Sequence, residues 1–359
     1  MEVIAHYLPQ FHPIPENDEW WGPGFTEWTN VTKARPLFSG HRQPHLPADL
    51  GFYDLRVPEV REAQADLARR YGVTAFCYWH YWFGGRRLLE RPFDDVLSSG
   101  RPDLPFCVAW ANQTWSGIWH GAPDRILIEQ TYPGPEDEAR HFAYLLEAFR
   151  DERYLRVDGR PVMFVYKPGE LPEPARFVER WQTMAREAGL DGLYLIAGLG
   201  ETEYPTHKQD GYDAGVWYQF PFGEDRGVRV REYLMGKGLL RGPKRYPYRS
   251  DFPPIPAGQQ GPIFPSVYPN WDNTPRSGRG GVLATGATPE RFGSEVRGAL
   301  RLVQALPEAE RVLVIKSWNE WAEGNYLEPD RETGHARGDT LARELRRAGF
   351  LGESAIRRK

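Results

Sequence analysis

The chain has 359 residues, 40% of them hydrophobic and 26% charged, which is enough apolar material to bury a large core and too much for a disordered chain. Its formal net charge of −4, with no long run of like charges, argues against a nucleic-acid footprint and against a basic membrane-binding patch. The two cysteines, Cys77 and Cys107, stand in apolar runs and read as buried free thiols rather than as a disulfide or metal site. Aromatic residues are unusually frequent, with 13 Trp, 18 Tyr and 18 Phe. A core alone seldom needs so many indoles, because each buried N–H requires a partner.

Short apolar or aromatic runs recur along the chain, most of them separated by stretches of helical periodicity. In order they are 3–8, 73–78, 105–110, 161–166, 193–197, 214–218, 262–267 and 311–315. Helices are expected at 58–70, 136–150, 175–188, 289–306 and 340–348. Near-continuous apolar strands fit a parallel sheet buried on both faces. The pattern predicts an α/β fold, a (β/α)8 TIM barrel, in one domain over 1–359; an open doubly wound sheet is the alternative. Two long loops are expected, 9–53 after the first strand and 223–261 after the sixth, the latter as an irregular rim or lid. The chain opens directly on an apparent strand, without a basic and apolar leader, and holds no apolar stretch long enough to span a bilayer. That reading expects a soluble, cytoplasmic protein with no membrane insertion.

In such a barrel the reactive groups come from the C-terminal strand ends and the loops after them. Those positions are crowded here: His6 and Tyr7, then Tyr78 and His80, then Trp110, Asn112 and Gln113. Tyr166, Trp217, Tyr268 and Trp271 follow, and the last strand runs into Ser317-Trp-Asn-Glu-Trp-Ala-Glu323. A sugar offers C–H bonds on its faces and hydroxyls around its rim, so aromatic planes ringed by amides, carboxylates and imidazoles suit it. The alternative is that these aromatics only cap the barrel as core. Glu320 and Glu323 are the candidate catalytic pair, one to protonate a leaving oxygen and one to act at the anomeric carbon. Three apart, both can face a cavity only if the strand has already turned, which Gly324 permits. Trp318 and Trp321 are expected to wall them from water and raise the pKa of one. Glu27 and Trp28, in the Trp-rich first loop, are expected at the mouth, with Glu27 hydrogen-bonding sugar hydroxyls. No zinc-type His or Cys motif, P-loop, dinucleotide fingerprint or Gly-x-Ser-x-Gly elbow occurs, so no metal or cofactor is expected, and the partner is a carbohydrate substrate.

Several long motifs carry a family resemblance: His6-Tyr-Leu-Pro-Gln-Phe-His12, Trp20-Trp-Gly-Pro-Gly-Phe-Thr-Glu-Trp-Thr-Asn30 and the segment from Gln43 to Arg56. Tyr78-Trp-His-Tyr-Trp-Phe-Gly84, Trp110-Ala-Asn112 and Trp318-Asn-Glu-Trp-Ala-Glu-Gly-Asn-Tyr-Leu-Glu-Pro329 complete the set. The chain resembles the WbsX-like proteins of bacterial polysaccharide loci, which look related to glycoside hydrolase family 99. The resemblance implies a (β/α)8 barrel, no metal, and a retaining glycosidase acting on an α-linked mannose- or rhamnose-type glycan. It gives Glu320 the task of assisting the substrate's 2-hydroxyl, which attacks the anomeric carbon to form a 1,2-anhydro sugar. Glu323 becomes acid and then base, and Asn319 and Trp321 belong to the sugar site. Relatives commonly carry Glu where this chain has Gln113, and an amide can neither act as base nor carry charge. Two other readings stand beside hydrolysis: a glycosyltransferase of surface-polysaccharide assembly, and a non-catalytic carbohydrate-binding barrel.

Overall fold

The computed structural model describes residues 1–117, 122–200, 206–255 and 260–352. Eight strands close into a parallel barrel: β1 Glu2–Tyr7, β2 Ala75–Phe83, β3 Phe106–Trp110, β4 Arg160–Val165, β5 Tyr194–Leu199, β6 Ala214–Trp217, β7 Ile263–Val267 and β8 Val312–Ile315. Each pairs with the next in sequence, and β8 pairs in turn with β1, so no barrel edge is left. Closure is visible at Ile4, which is level with Ala75 on one side and Val314 on the other. Every residue of β2, β3, β5, β6, β7 and β8 is buried, as strands covered by helices outside and side chains inside must be.

Six helices cover the barrel: α1 Pro58–Tyr71, α2 Arg91–Ser99, α3 Pro135–Arg150, α4 Pro174–Glu187, α5 Pro289–Gln304 and α6 Ala336–Arg347. Five of the six begin with proline in the first turn, where the missing N–H costs nothing. α1 ends at Gly72, in the left-handed region at φ 84°, whose N–H closes onto Ala68 and Arg69. The helix α2 was not among the expected elements; Pro92 and the short length of its apolar face hide it in the sequence. The eight strand ranges match the apolar runs to within a few residues. The cysteines are free and buried, side by side on β2 and β3. Among the described residues no helix is long and apolar enough to cross a membrane.

The two expected loops hold more order than expected. The first contains helices Pro15–Trp21 and Glu27–Lys33, the second of which starts with a reciprocal Thr26–Thr29 capping box. The second is not an irregular lid. It contains a helix, Arg226–Gly236, capped by the Asp225 side chain on the Val228 N–H at 2.8 Å. A strand, Lys244–Pro247, then pairs in parallel with Val282–Thr285 beyond β7. Positions 256–259 of that loop lie outside the described residues.

Candidate active site

β8 ends at Ile315, and the chain then folds back on itself. Asn319–Glu320 pairs antiparallel with Asn325–Tyr326, enclosing a 3₁₀ turn, Trp321–Glu323. A 3₁₀ turn has three residues per revolution, so side chains at i and i+3 eclipse. Glu320 precedes that turn and Glu323 ends it, and both line one cavity. Gly324 reverses the chain at φ 60°, and a Cβ there would meet the Asp272 backbone nitrogen at 2.9 Å. That close approach lets the Asp272 N–H donate to the Glu323 carbonyl at 2.6 Å. The Asp272 carboxylate meanwhile accepts from His41 (2.8 Å), Gln43 (2.7 Å) and Thr274 (2.6 Å), tying the first loop to the one after β7.

The cavity, of about 200 Å³, opens at the C-terminal ends of the strands. Trp79, Tyr81, Tyr166, Tyr268 and Trp271 supply its aromatic walls, and Gln10, Asn17 and Gln113 its amides. Glu320 accepts from Lys316 Nζ at 2.7 Å on both oxygens and from Trp79 Nε1 at 2.6 Å. Arg276 donates through Nη1 to Glu323 at 2.6 Å and through Nη2 to both oxygens of Glu27, at 2.8 and 3.0 Å. Burial pushes both cavity carboxyls upward, but the outcomes are opposite. The Lys316 ammonium, with hydrogen bonds from it and from Glu323, overcomes burial at Glu320 and holds it down to about 2. At Glu323 burial wins: Arg276 and Lys316 pull down, the neighbouring Glu320 pushes up, and the carboxyl is raised to about 8. One buried carboxylate and one buried carboxylic acid therefore face the same space, which is the division an acid and a base require.

Of the residues expected from sequence, Glu320, Glu323, Gln113, Tyr166, Tyr268 and Trp271 line this cavity. His6 lies beneath it, inside the barrel, stacked on Trp79 at 4.4 Å with Nε2 2.6 Å from the Tyr218 hydroxyl. Burial, and then Lys316, depress its pKa to about 3, so it is neutral. The others are corrected. Tyr7, Tyr78, His80 and Trp110 point outward into the helix layer. Tyr7 donates to Gln64 at 2.6 Å, and Tyr78 packs on Phe93 and Phe106. His80 meets His141 at 2.8 Å, and Trp110 packs on Phe177. Side chains alternate across a strand, and it is Trp79 and Tyr81, not Tyr78 and His80, that share the inward phase. Trp217 is buried and directs its indole N–H to Gln219 at 2.7 Å.

Four more expected sugar contacts are internal supports. Asn112 bridges to the Lys167 backbone, accepting and donating at 2.8 Å, and so ties the end of β3 to that of β4. Asn319 does the same between β8 and β1, accepting from the Leu8 N–H at 2.7 Å and donating to its carbonyl at 3.0 Å. Trp321 stacks on Tyr326 at 3.8 Å and donates to Glu328 at 2.7 Å; Trp28 packs against Trp321 and donates to the Tyr53 carbonyl at 2.8 Å. Trp318 packs behind the sheet on Phe76. Neither Trp318 nor Trp321 walls the carboxyls. Glu27 has no solvent exposure and is occupied by Arg276 and by the Ala322 N–H at 2.9 Å, so it does not present itself to a ligand. Lys316 and Arg276 escaped the sequence reading, and Trp79 and Tyr81, though within the Tyr78–Gly84 motif, are not among its expected site residues. Trp79 and Tyr81 share the inward phase of a strand buried throughout, and Arg276 sits in a short helical turn, Thr274–Ser277, with nothing local to mark it. Among the described residues no group of three or more His, Cys, Asp or Glu side chains is arranged to hold a metal.

Similar proteins agree with this architecture. A structure of the family 99 endo-alpha-mannosidase of Bacteroides thetaiotaomicron, in complex with bis-tris-propane, superposes with a TM-score of 0.59 at 16% identity, covering 98% of this chain and 99% of that one. A second structure of that endo-alpha-mannosidase gives 0.56 at the same identity and coverage. A glycoside hydrolase-like protein gives 0.59 at 13% identity, over 96% and 93% of the two chains. At these identities the likeness concerns the fold. The uncharacterized protein WxcX of Xanthomonas campestris pv. campestris, from strains B100 and ATCC 33913, is 40% identical over 358 residues, covering 96% of this chain. The chain spans about half the length of these curated relatives. The family described as Glycosyltransferase WbsX matches residues 3–338, nearly the whole length, and the chain belongs to that family.

Proposed function

We propose that the protein is a retaining glycoside hydrolase acting on an α-linked mannose- or rhamnose-type bacterial glycan, through participation of the substrate's 2-hydroxyl. The observation that carries this reading is the split between the two cavity carboxyls, Glu320 held as an anion by Lys316 and Trp79 and Glu323 held as an acid by burial. A sugar lying on the aromatic walls would offer its 2-hydroxyl to Glu320. As Glu320 takes that proton, the 2-oxygen attacks the anomeric carbon, and Glu323 protonates the glycosidic oxygen that departs. In the second half Glu323, now an anion, takes a proton from water. The water oxygen opens the three-membered ring at the anomeric carbon, and Glu320 returns its proton to the 2-oxygen. Two inversions at one carbon leave the configuration retained.

The family's description favours a second reading, transfer of a sugar rather than hydrolysis. The two differ in the donor that is consumed and in the acceptor of the sugar. Purified protein is incubated with bacterial O-antigen and other mannose- or rhamnose-containing polysaccharides, and new reducing ends are counted. Release that disappears in Glu320→Gln and Glu323→Gln supports hydrolysis. No release, together with calorimetric binding of a nucleoside-diphosphate sugar, replaces it with transfer.

A further inference from the structure

We propose that Glu27 is a positioning residue that keeps the proton on Glu323 by neutralising Arg276, an inference that rests on the acid role given to Glu323 above. Three carboxyls and two cations meet at the 3₁₀ turn. Lys316 spends its contacts on Glu320, touching both oxygens at 2.7 Å. Arg276 is shared unequally: one amino group grips both oxygens of Glu27, and the other reaches a single oxygen of Glu323. Once Glu320 and Glu27 have taken the two cations, Glu323 is the carboxyl without a counter-charge of its own. Glu27 also accepts the Ala322 N–H, so it fixes the backbone immediately before Glu323 as well as the guanidinium beside it.

The remaining groups facing Glu323 do not change this count. Tyr81 from β2 and Tyr166 just after β4 are both pushed upward by burial and stay neutral. Glu320 and Lys316 from its own segment pair with each other and act on Glu323 in opposite directions, the carboxylate raising it and the ammonium lowering it. If Glu27 loses its charge, Arg276 becomes an uncompensated cation against Glu323 and favours its anion. The acid would then be missing at the pH where it is needed, although nothing that touches substrate had changed.

The test needs no substrate. The carboxylic-acid carbonyl band of Glu323 is followed by infrared spectroscopy against pH, assigned by its loss in Glu323→Gln. In Glu27→Gln the midpoint falls by roughly one pH unit or more, since a close opposite charge shifts a carboxyl by about one to three. Glu27→Asp, which keeps the charge, stays nearer the parent. The double variant Glu27→Gln/Arg276→Met removes cation and counter-charge together, and its midpoint returns to the parent value or above it. If Glu27→Gln does not fold, the double variant decides alone: a midpoint at or above the parent supports the inference, and one below it overturns it. An unmoved midpoint in folded Glu27→Gln also overturns it. A protein that shows the full pattern yet releases no reducing ends from any glycan keeps this inference and loses the hydrolase reading.

Discussion

Glu320 and Glu328 lie on the same segment beyond β8, and both are nearly sealed from solvent at 4% and 3% exposure, but the protein treats them differently. Glu320 faces the cavity and has an ammonium on both oxygens. Glu328 faces the shell and has only neutral donors: Tyr53 at 2.8 Å, Gln64 at 2.7 Å and Trp321 at 2.7 Å. Burial raises Glu328 to about 7 against those hydrogen bonds, while Glu320 is driven far below the ordinary range. Glu295 on α5 belongs with Glu328: burial lifts it to about 8. Tyr248 has one hydroxyl proton and two oxygen neighbours, the Tyr268 carbonyl at 2.6 Å and Glu295. Both contacts are satisfied only if Glu295 carries the proton. Burial without a cation thus raises a carboxyl to neutrality or beyond, and an ammonium beside the cavity is what keeps Glu320 an anion.

The largest break in this comparison comes from the cavity pair. Glu323→Gln is expected to lower turnover by roughly 10²–10⁴-fold on substrates with poor leaving groups, and far less on activated aryl glycosides that need little protonation. Glu320→Gln is expected to lower both alike, because it acts on the attacking oxygen. Equal losses on both substrate types in Glu323→Gln would reverse the roles. In the parent, kcat/KM should rise with pH as Glu320 loses its proton, far below neutrality, and fall as Glu323 loses its own above it. The two limbs belong to the pair and not to either residue separately.

A smaller effect sharpens the contrast between the faces of β2. Trp79→Phe removes a hydrogen bond to a charged carboxylate, worth about 1.5–3 kcal/mol, and should cost roughly 10- to 100-fold in kcat/KM. Tyr78→Phe, on the outward face, keeps the ring that packs on Phe93 and Phe106 and should leave kcat/KM within about twofold. Similar losses in both variants would mean that the inward phase has been assigned wrongly.

That contrast also explains what the sequence could and could not convey. Runs such as Val312–Ile315 are apolar throughout because both faces of the strand are buried, and that made the eight strands legible. The same uniformity hid the site. Along Ala75–Phe83 His80 is the single polar residue among aromatic and apolar ones, so in and out look alike, and Tyr78 and His80 stand out in the sequence rather than Trp79 and Tyr81. The catalytic candidates were legible because two glutamates follow a strand end directly. Their partner Arg276 was not, because its meaning comes from Glu27, 249 residues away. Glu27, expected as a sugar contact, is likewise held by Arg276 and the Ala322 N–H, partners far away in sequence. Asn112 and Asn319 looked like sugar-binding amides, but each satisfies a neighbouring strand's backbone, a demand that exists only once the barrel has closed.

The smallest expected effect is on stability, and it tests the shell side of the comparison. Glu328→Gln keeps one acceptor oxygen where two received three donors, leaving at least one buried donor poorly matched, at a cost of about 1–3 kcal/mol. Its turnover should be close to that of the parent, because Glu328 does not border the cavity. The cost should also depend on pH. With a native pKa of about 7 against about 4.3 when unfolded, Glu328 binds more proton in the fold than in the denatured chain between those values. Its contribution is therefore fully present below about 4.3 and is lost as the pH rises through 7. The glutamine variant lacks that contribution, so the stability gap between parent and variant should be widest near the acid end and narrow toward pH 8. Urea unfolding of both proteins across that range measures it, and the groups they share cancel in the difference. A gap that widens with pH would mean that Glu328 is an anion in the fold, and that a shell carboxylate can keep its charge here without a cation.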